Sequence, residues 1–376
     1  MERLRVGIPV EQFWHRVPGG TARATRETLL ALNPEDNVDT RLLAAWHRPS
    51  QRGPGDGLGP VRYVPLPRPV LYEAWLRLAR PRVEPWTGPV DVVWAASMIA
   101  APSGAPLVAT VHDLGFLDHP ERSSRRGRSF FPRAWDAVTS RAEVIVCPSQ
   151  TVADDCARHG LEPERLRVVP WGVAPPFTTP AEADEVRRAF GLPEVFALWV
   201  GTLEPRKNLP GLVKAVELLP DLALAVVGPE GWNLDGFDVL EPLGERAYRL
   251  GQVDDHQLSA LYRAAAVFVF PSLLEGFGLP VLEAMAHGTP VVTSAGTATA
   301  EAADGAARLV DPLDPQALAA AIEAALSGDQ LTRGLVDRGL ERAGQRSWSA
   351  TAAGYAAIFH EVASSAGLEG KRRGSD

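Results

Sequence analysis

The sequence predicts an α/β protein of two doubly wound parallel-sheet domains, and three observations carry that prediction. A chain of 376 residues exceeds what one core supports, since single cores stop growing at roughly 250–300 residues. Short apolar runs alternate with helical patterns through both halves, the arrangement of parallel strands joined by crossover helices. Between the halves, the proline-rich stretch VAPPFTTPAEADE, residues 173–185, suppresses regular structure before an acidic helix start.

In the first half the strands read as RVGIPV, TRLLAAW, VDVVWAA, PLVATVHD, AEVIVCPS and RLRVVPWG. In the second they read as FALWVGTL, LALAVVGP, AYRLGQV, AVFVFPS, PVVTSA and ARLVDP. Near-continuous Val, Ile and Ala runs fit strands covered by helices on both faces. The expected division is 1–175 and 176–346, each Rossmann-like, then 347–376 as a terminal helix and tail. SWSATAAGYAAIFHEVA has helical apolar spacing, with Ser347 or Ser349 as cap, and SSAGLEGKRRGSD reads as a frayed polar end.

Composition is that of a globular protein, 45% hydrophobic and 22% charged. No apolar run approaches the roughly 20 residues of a membrane span, and MERLRVGIPV lacks a signal peptide's apolar region. A cytoplasmic location is expected, with contact at a membrane from that side left open. Cys147 and Cys156 offer neither a disulfide framework nor a metal-site spacing and read as reduced structural residues. Residues 1–176 hold 22 Arg and 19 acids, a net of +3, against −11 for the remainder. Arg122, Arg125, Arg126, Arg128 and Arg133 lie beside Phe130, Phe131 and Trp135, a mixture that suits an anionic membrane or acceptor. An exposed arginine-rich helix start with core aromatics explains the same residues equally well. Nucleic acid is not an expected partner, because the chain is acidic and carries no recognisable module for it.

Ligands of doubly wound sheets bind outside the strand C-termini, so the strand ends come first. FPSLLEGFGLPVLEAMAHG turns from a strand into a helix. Gly276 and Gly278 permit close backbone approach, Pro280 suits a first helical turn, and the N–H groups near Gly278 and Leu279 offer an anion site. Glu275 would sit on the ligand side, and Glu283 would share it while Val281, Leu282 and Met285 pack inward. A helix-start acid with no ligand explains Glu283 alone just as readily.

WVGTLEPRKNLPGLVKAV is a second such end, with Gly201 at the turn, Arg206 and Lys207 adjacent, and Asn208 as helix cap. Two cations at a helix start call for an anion in the same space, and phosphate or simple solvation would each answer that. PLVATVHDLGFLDHPE ends at His112, which would serve as a base, a hydrogen-bonding group or a partner of Asp113. Gly19 and Gly20 precede a helix after the first strand, but the pattern is not a dinucleotide fingerprint.

Taken together these residues resemble the retaining glycosyltransferases of family 4, with the two-domain GT-B fold, over nearly the whole chain. The most specific element is the E-x7-E pattern of Glu275 and Glu283, supported by VGTLEPRKNL, HDLGFLDHPE, SQTVADDCARHGLEPERLRVVPWGV and EAADGAARLVDPLDPQALAAAI. The resemblance implies that Arg206 and Lys207 bind a nucleotide-sugar diphosphate, Glu283 the ribose hydroxyls, and Glu275 the transferred sugar. It places Gly278 and Leu279 at phosphate or sugar, His112 near the sugar, Gly19 and Gly20 at the diphosphate, Gly201 in the donor loop, and Gly251 to Val253 near the base. No cofactor or metal is implied. Trp171, where Asn is frequent, and Ala300, where Pro is frequent, depart from the family pattern.

The expected function is retaining transfer of a hexose, with mannose from GDP-mannose as first choice because HDLGFLDHPE looks mannosyltransferase-like. The acceptor would be a glycan or lipid-linked hydroxyl in envelope or polysaccharide synthesis. A nucleotide-sugar epimerase of the same fold and a non-catalytic nucleotide-sugar binding subunit are the rivals.

Overall fold

A computed structural model describes residues 3–15, 19–48, 57–122, 125–231 and 236–373. The chain divides into two compact units, 1–171 with 348–376, and 172–347.

The first unit is a seven-stranded parallel sheet: β1 (Leu4–Pro9), β2 (Val38–Ala44), β3 (Val61–Tyr63), β4 (Val92–Ala95), β5 (Leu107–Thr110), β6 (Ala142–Cys147) and β7 (Leu166–Val168). Their spatial order is β3-β2-β1-β4-β5-β6-β7. All six expected strands form, and β3 joins them as a seventh that its sequence did not announce. β4 and β5 are buried at every residue, as strands with apolar layers on both faces must be. One layer gathers Leu43, Trp75, Val138 and Ile145. The other gathers Val6, Ile8 and Trp94 with Tyr355, Ile358, Phe359 and Val362.

Those last four lie on the helix Trp348–Arg373, which is 26 residues long. Most of the stretch expected to fray is therefore helical: nothing between 348 and 373 is a proline, and Leu, Glu, Lys and Arg are good helix formers, so Gly367 and Gly370 cost only about 1 kcal/mol each. Trp94 packs on the Tyr355 ring at 4.7 Å, and the Tyr355 hydroxyl pairs with Thr110 at 3.1 Å.

The second unit carries β8 (Phe196–Val200), β9 (Ala223–Val227), β10 (Ala247–Gly251), β11 (Val267–Phe270), β12 (Val291–Ser294) and β13 (Arg308–Val310). Their order is β10-β9-β8-β11-β12-β13, again all parallel. Helix starts are held by capping boxes at Thr179 with Glu182 and at Asp254 with Gln257.

In each unit the strand order reverses once, between β1 and β4 and between β8 and β11. Such reversals are where the flanking loops part and leave a crevice. Both glycine-rich motifs of the second half follow the strands on either side of its reversal.

Candidate active site

The loop after β8 folds into a tight turn, Pro205–Lys207, then the helix Leu209–Glu217. Asn208 connects them with a left-handed backbone, φ 53°, and its side chain caps nothing. The expected cap is instead spent on Pro312, whose carbonyl accepts from Asn208 Nδ2 at 2.7 Å. The turn aims Arg206 and Lys207 at the loop after β11, where Glu275 lies between them. Arg206 Nη1 donates to Glu275 Oε2 at 3.2 Å, and Lys207 Nζ pairs with Oε1. Ser272 Oγ donates to the same Oε1 at 2.7 Å. Arg206 Nη2 also meets Glu204, only 2% exposed, at 2.7 Å. The anion that the two cations call for is thus supplied by the protein, in Glu275 and Glu204.

Burial alone would raise the Glu275 carboxyl, yet Lys207 and Arg206 hold it below the usual carboxylate range. Burial, with the Arg206 charge beside it, lowers the Lys207 ammonium against the pull of Glu275 and Glu204. The ammonium also stands 4.9 Å over the Phe270 ring. These are two cations fixed in place, partly stripped of water, and balanced by carboxylates that a stronger anion can displace.

The glycine-rich loop then enters the helix Leu279–Ala286. Gly278 stands at its start with φ 104° and no side-chain cap. A Cβ there would come within 3.0 Å of Thr299 Cγ2 and 3.1 Å of its Cα. Only glycine fits that approach and that backbone. Val281, Leu282 and Met285 are buried as expected, and Leu279 and Glu283 are buried with them, each at 6% exposure. Glu283 Oε2 accepts the Tyr262 hydroxyl at 2.8 Å. His287 stacks on Tyr262 at 5.5 Å, and its Nε2 pairs with Ser259 Oγ at 2.8 Å.

Gly201 follows β8 directly, its N–H donating to Val227 at 2.9 Å. Gly251 ends β10 and accepts from Gly228 N–H at 2.8 Å. Val253 follows it, half-buried, at the sheet edge two strands from β8.

The remaining assigned residues belong to the first unit. His112, after β5, bonds to the Ala96 carbonyl at 2.8 Å rather than to Asp113. Its Nε2 is therefore the donor, which leaves Nδ1 as a buried acceptor without a partner among the described residues. Burial lowers its pKa and favours the neutral ring. Trp171 stands 5.5 Å from that ring. A Cβ on Gly20 would lie 3.9 Å from the same indole, and Gly19 has φ 62° at the helix start. One tryptophan thus brings His112 and the Gly19–Gly20 turn to one place.

Of the arginine-aromatic cluster, Arg133 forms a two-pronged pair with Glu73 at 2.8 Å on each arm. Trp135 is buried, Phe130 packs on the core, and Phe131 is 38% exposed. The side chains of Arg122, Arg125 and Arg126 lie outside the described residues. No helix among the described residues is long and apolar enough to cross a membrane. Cys147 and Cys156 are buried thiols with sulfurs 3.9 Å apart.

Sequence reasoning passed over Glu204, Ser272 and Tyr262. The first two stand beside named motif residues and were legible as polar groups at a strand end. Tyr262 had no local signal, being 21 residues from the acid it binds.

Residues 182–342 match the family model for glycosyl transferases group 1, and residues 18–175 match that for glycosyltransferase family 4. The O-antigen chain mannosyltransferase B of Escherichia coli is 33% identical over 299 residues, covering 75% of this chain and 77% of that protein. The D-inositol 3-phosphate glycosyltransferase of Corynebacterium glutamicum is 31% identical, covering 71% of this chain and 69% of its own length. Among solved structures, sucrose-phosphate synthase from Thermosynechococcus elongatus superposes with a TM-score of 0.77 at 22% identity, over 96% of this chain and 100% of that one. Two parallel sheets, each with its reversal, two matching family models and relatives spanning most of the chain agree: the protein belongs to the family 4 glycosyltransferases and has the GT-B fold.

Proposed function

We propose that the protein transfers a hexose, with retention and without a metal ion, from a nucleoside-diphosphate sugar to a hydroxyl of a glycan or lipid-linked acceptor. Mannose from GDP-mannose is the donor we put first, in keeping with the mannosyltransferase among its relatives. Envelope or polysaccharide synthesis is the setting that such an acceptor implies. The observation that carries the reading is the Arg206–Lys207–Glu275 cluster at the reversal between β8 and β11.

In the proposed step the bond from the anomeric carbon to the diphosphate oxygen breaks, and its electron pair leaves with the diphosphate. The acceptor oxygen bonds to that carbon on the same face, and its proton passes to a phosphate oxygen. Arg206 and Lys207 offset the charge that grows on the leaving group, the part a divalent cation plays elsewhere. The backbone around Gly278 and Leu279 adds N–H donors. Glu283 takes the ribose hydroxyls, and Glu275 takes the transferred sugar once the diphosphate has drawn its cations away. In the first unit, His112 Nδ1 accepts from a sugar hydroxyl and Gly19–Gly20 serve the diphosphate. Gly201 leaves room in the donor loop, and Gly251 to Val253 serve the base.

Thermal unfolding with GDP, UDP and ADP in separate EDTA-treated samples tests the donor site. A ligand at about a hundred times its Kd adds roughly 2.7 kcal/mol, a shift of several degrees for a unit this size. A rise with one nucleotide names the base and supports a metal-free site; no rise with any of them removes the assignment. Lys207→Ala and Glu283→Ala are each expected to abolish turnover while the fold persists. Donor incubated alone separates transfer from epimerisation, since only an epimerase would return an isomerised nucleotide-sugar.

A further inference from the structure

The proposed transfer leaves a second constellation of the first unit without a role. β1, β2 and β3 lie side by side at one edge of the sheet, and each delivers a side chain at its C-terminal end. Glu11 follows β1, His47 follows β2, and Tyr63 closes β3. Glu11 is 2% exposed. It accepts the Ala45 N–H at 2.9 Å, and His47 Nε2 stands 3.1 Å from both of its oxygens. Arg68 Nε lies 4.0 Å away, on a side chain 40% exposed. Trp14 lies flat on the imidazole, centroids 4.5 Å apart and planes 13° apart. Tyr63 meets both rings edge-on, at 6.0 and 6.2 Å.

Taking a carboxylate out of water is costly. What it holds here is a set of oriented hydrogen-bonding groups beside a flat apolar wall, at the strand ends where doubly wound sheets take ligands. Glu11 and Arg68 cancel in charge. A phosphorylated ligand would meet a buried carboxylate at the centre, whereas an uncharged polyol meets hydrogen-bonding groups together with a surface for its C–H face.

We propose that Glu11, Trp14, His47, Tyr63 and Arg68 form a subsite for an uncharged sugar residue of the acceptor. The aromatic pair walls the sugar ring, and His47, Glu11 and Arg68 bind its hydroxyls. The inference rests on the transferase reading above and assigns these residues to acceptor selection.

Titration calorimetry of the full chain with α-mannobiose and a panel of uncharged methyl glycosides tests it, with myo-inositol 1-phosphate as the anionic alternative. We expect an uncharged saccharide to bind. Trp14→Ala and His47→Ala should each weaken that binding by about tenfold, as loss of one aromatic contact implies, while Trp14→Phe should keep most of it. The nucleotide-induced rise in Tm, read on the same variants, shows that they remain folded. Saccharide binding unchanged in both alanine variants overturns the proposal. So does the absence of binding by every uncharged probe, or binding of the inositol phosphate alone with loss in Arg68→Ala. A protein that responds to nucleotide but to no saccharide loses this inference only, whereas one that responds to no nucleotide loses the donor site.

Discussion

Glu275 and Glu283 stand eight residues apart, one in the loop after β11 and one on the helix it enters, and different physics holds each in place. Glu275 lies among Lys207, Arg206 and the Ser272 hydroxyl. Glu283 takes a phenol, from Tyr262. A carboxylate gripped by cations has its charge already spent, and it yields those cations only to a group of greater negative charge, such as a diphosphate. A carboxylate steadied by a neutral hydroxyl is held through a hydrogen bond that carries no net charge. On the reading proposed above, these two acids of one short motif take the two ends of an extended ligand, charged in the middle and rich in hydroxyls at its ends.

Lys207→Met is the hardest blow to that contrast. It leaves Glu275 buried with half its cationic support, and breaking a buried pair from one side costs about 3–5 kcal/mol, to be read by urea unfolding. Glu275→Gln with Lys207→Met should cost less than the two single changes added, with a coupling of roughly 0.5–3 kcal/mol. Tyr262→Phe removes a neutral donor from a buried acceptor and should cost about 1–3 kcal/mol. It should also weaken nucleotide binding if Glu283 holds the ribose. Were Tyr262→Phe to prove costlier than Lys207→Met, the distinction between the two acids would fall.

Ser272→Ala sharpens the comparison from the other side. With Lys207 and Arg206 still in place, loss of its hydrogen bond should cost only about 0.5–1.5 kcal/mol. The smallest effect is in acid. Burial pushes the Glu275 carboxyl up, but Lys207 and Arg206 outweigh it, so its folded pKa lies below the ordinary 4.5. Its contribution to stability is therefore present above that value and lost as pH falls below it. Stability measured from pH 5 downward should decline less steeply in Glu275→Gln than in the native chain.

How much of this the sequence disclosed depended on whether the signal was local. Runs such as AVFVFPS announce a buried strand by themselves, and a glycine at φ 104° beside Thr299 leaves a mark because no other residue fits. Val61–Tyr63 left none: three residues are too few to show a period, and the strand exists because Leu42 to Ala44 pair with it. The helix through Arg373 shows no apolar stripe beyond its middle, so composition suggested fraying where helix propensity prevailed. At the site, the charges of Arg206, Lys207 and Glu275 were plain, but their pairing with one another rather than with solvent was not. That pairing spans 68 residues and is fixed by β8 lying against β11. Asn208 had a cap's identity and took the carbonyl of Pro312 instead, 104 residues on.

The helix Trp348–Arg373 adds Tyr355, Ile358, Phe359 and Val362 to the core of a sheet whose first strand begins at Leu4. A ribosome makes these parts in the opposite order from the one in which assembly needs them. The second unit is continuous in sequence and has every strand it requires before residue 348 emerges. The first unit must wait, with Val6, Ile8 and Trp94 lacking part of their apolar cover, until Tyr355 to Val362 have been made. Domains of a nascent chain ordinarily fold from the N-terminus onward; here the unit that starts first is completed after the one that follows it.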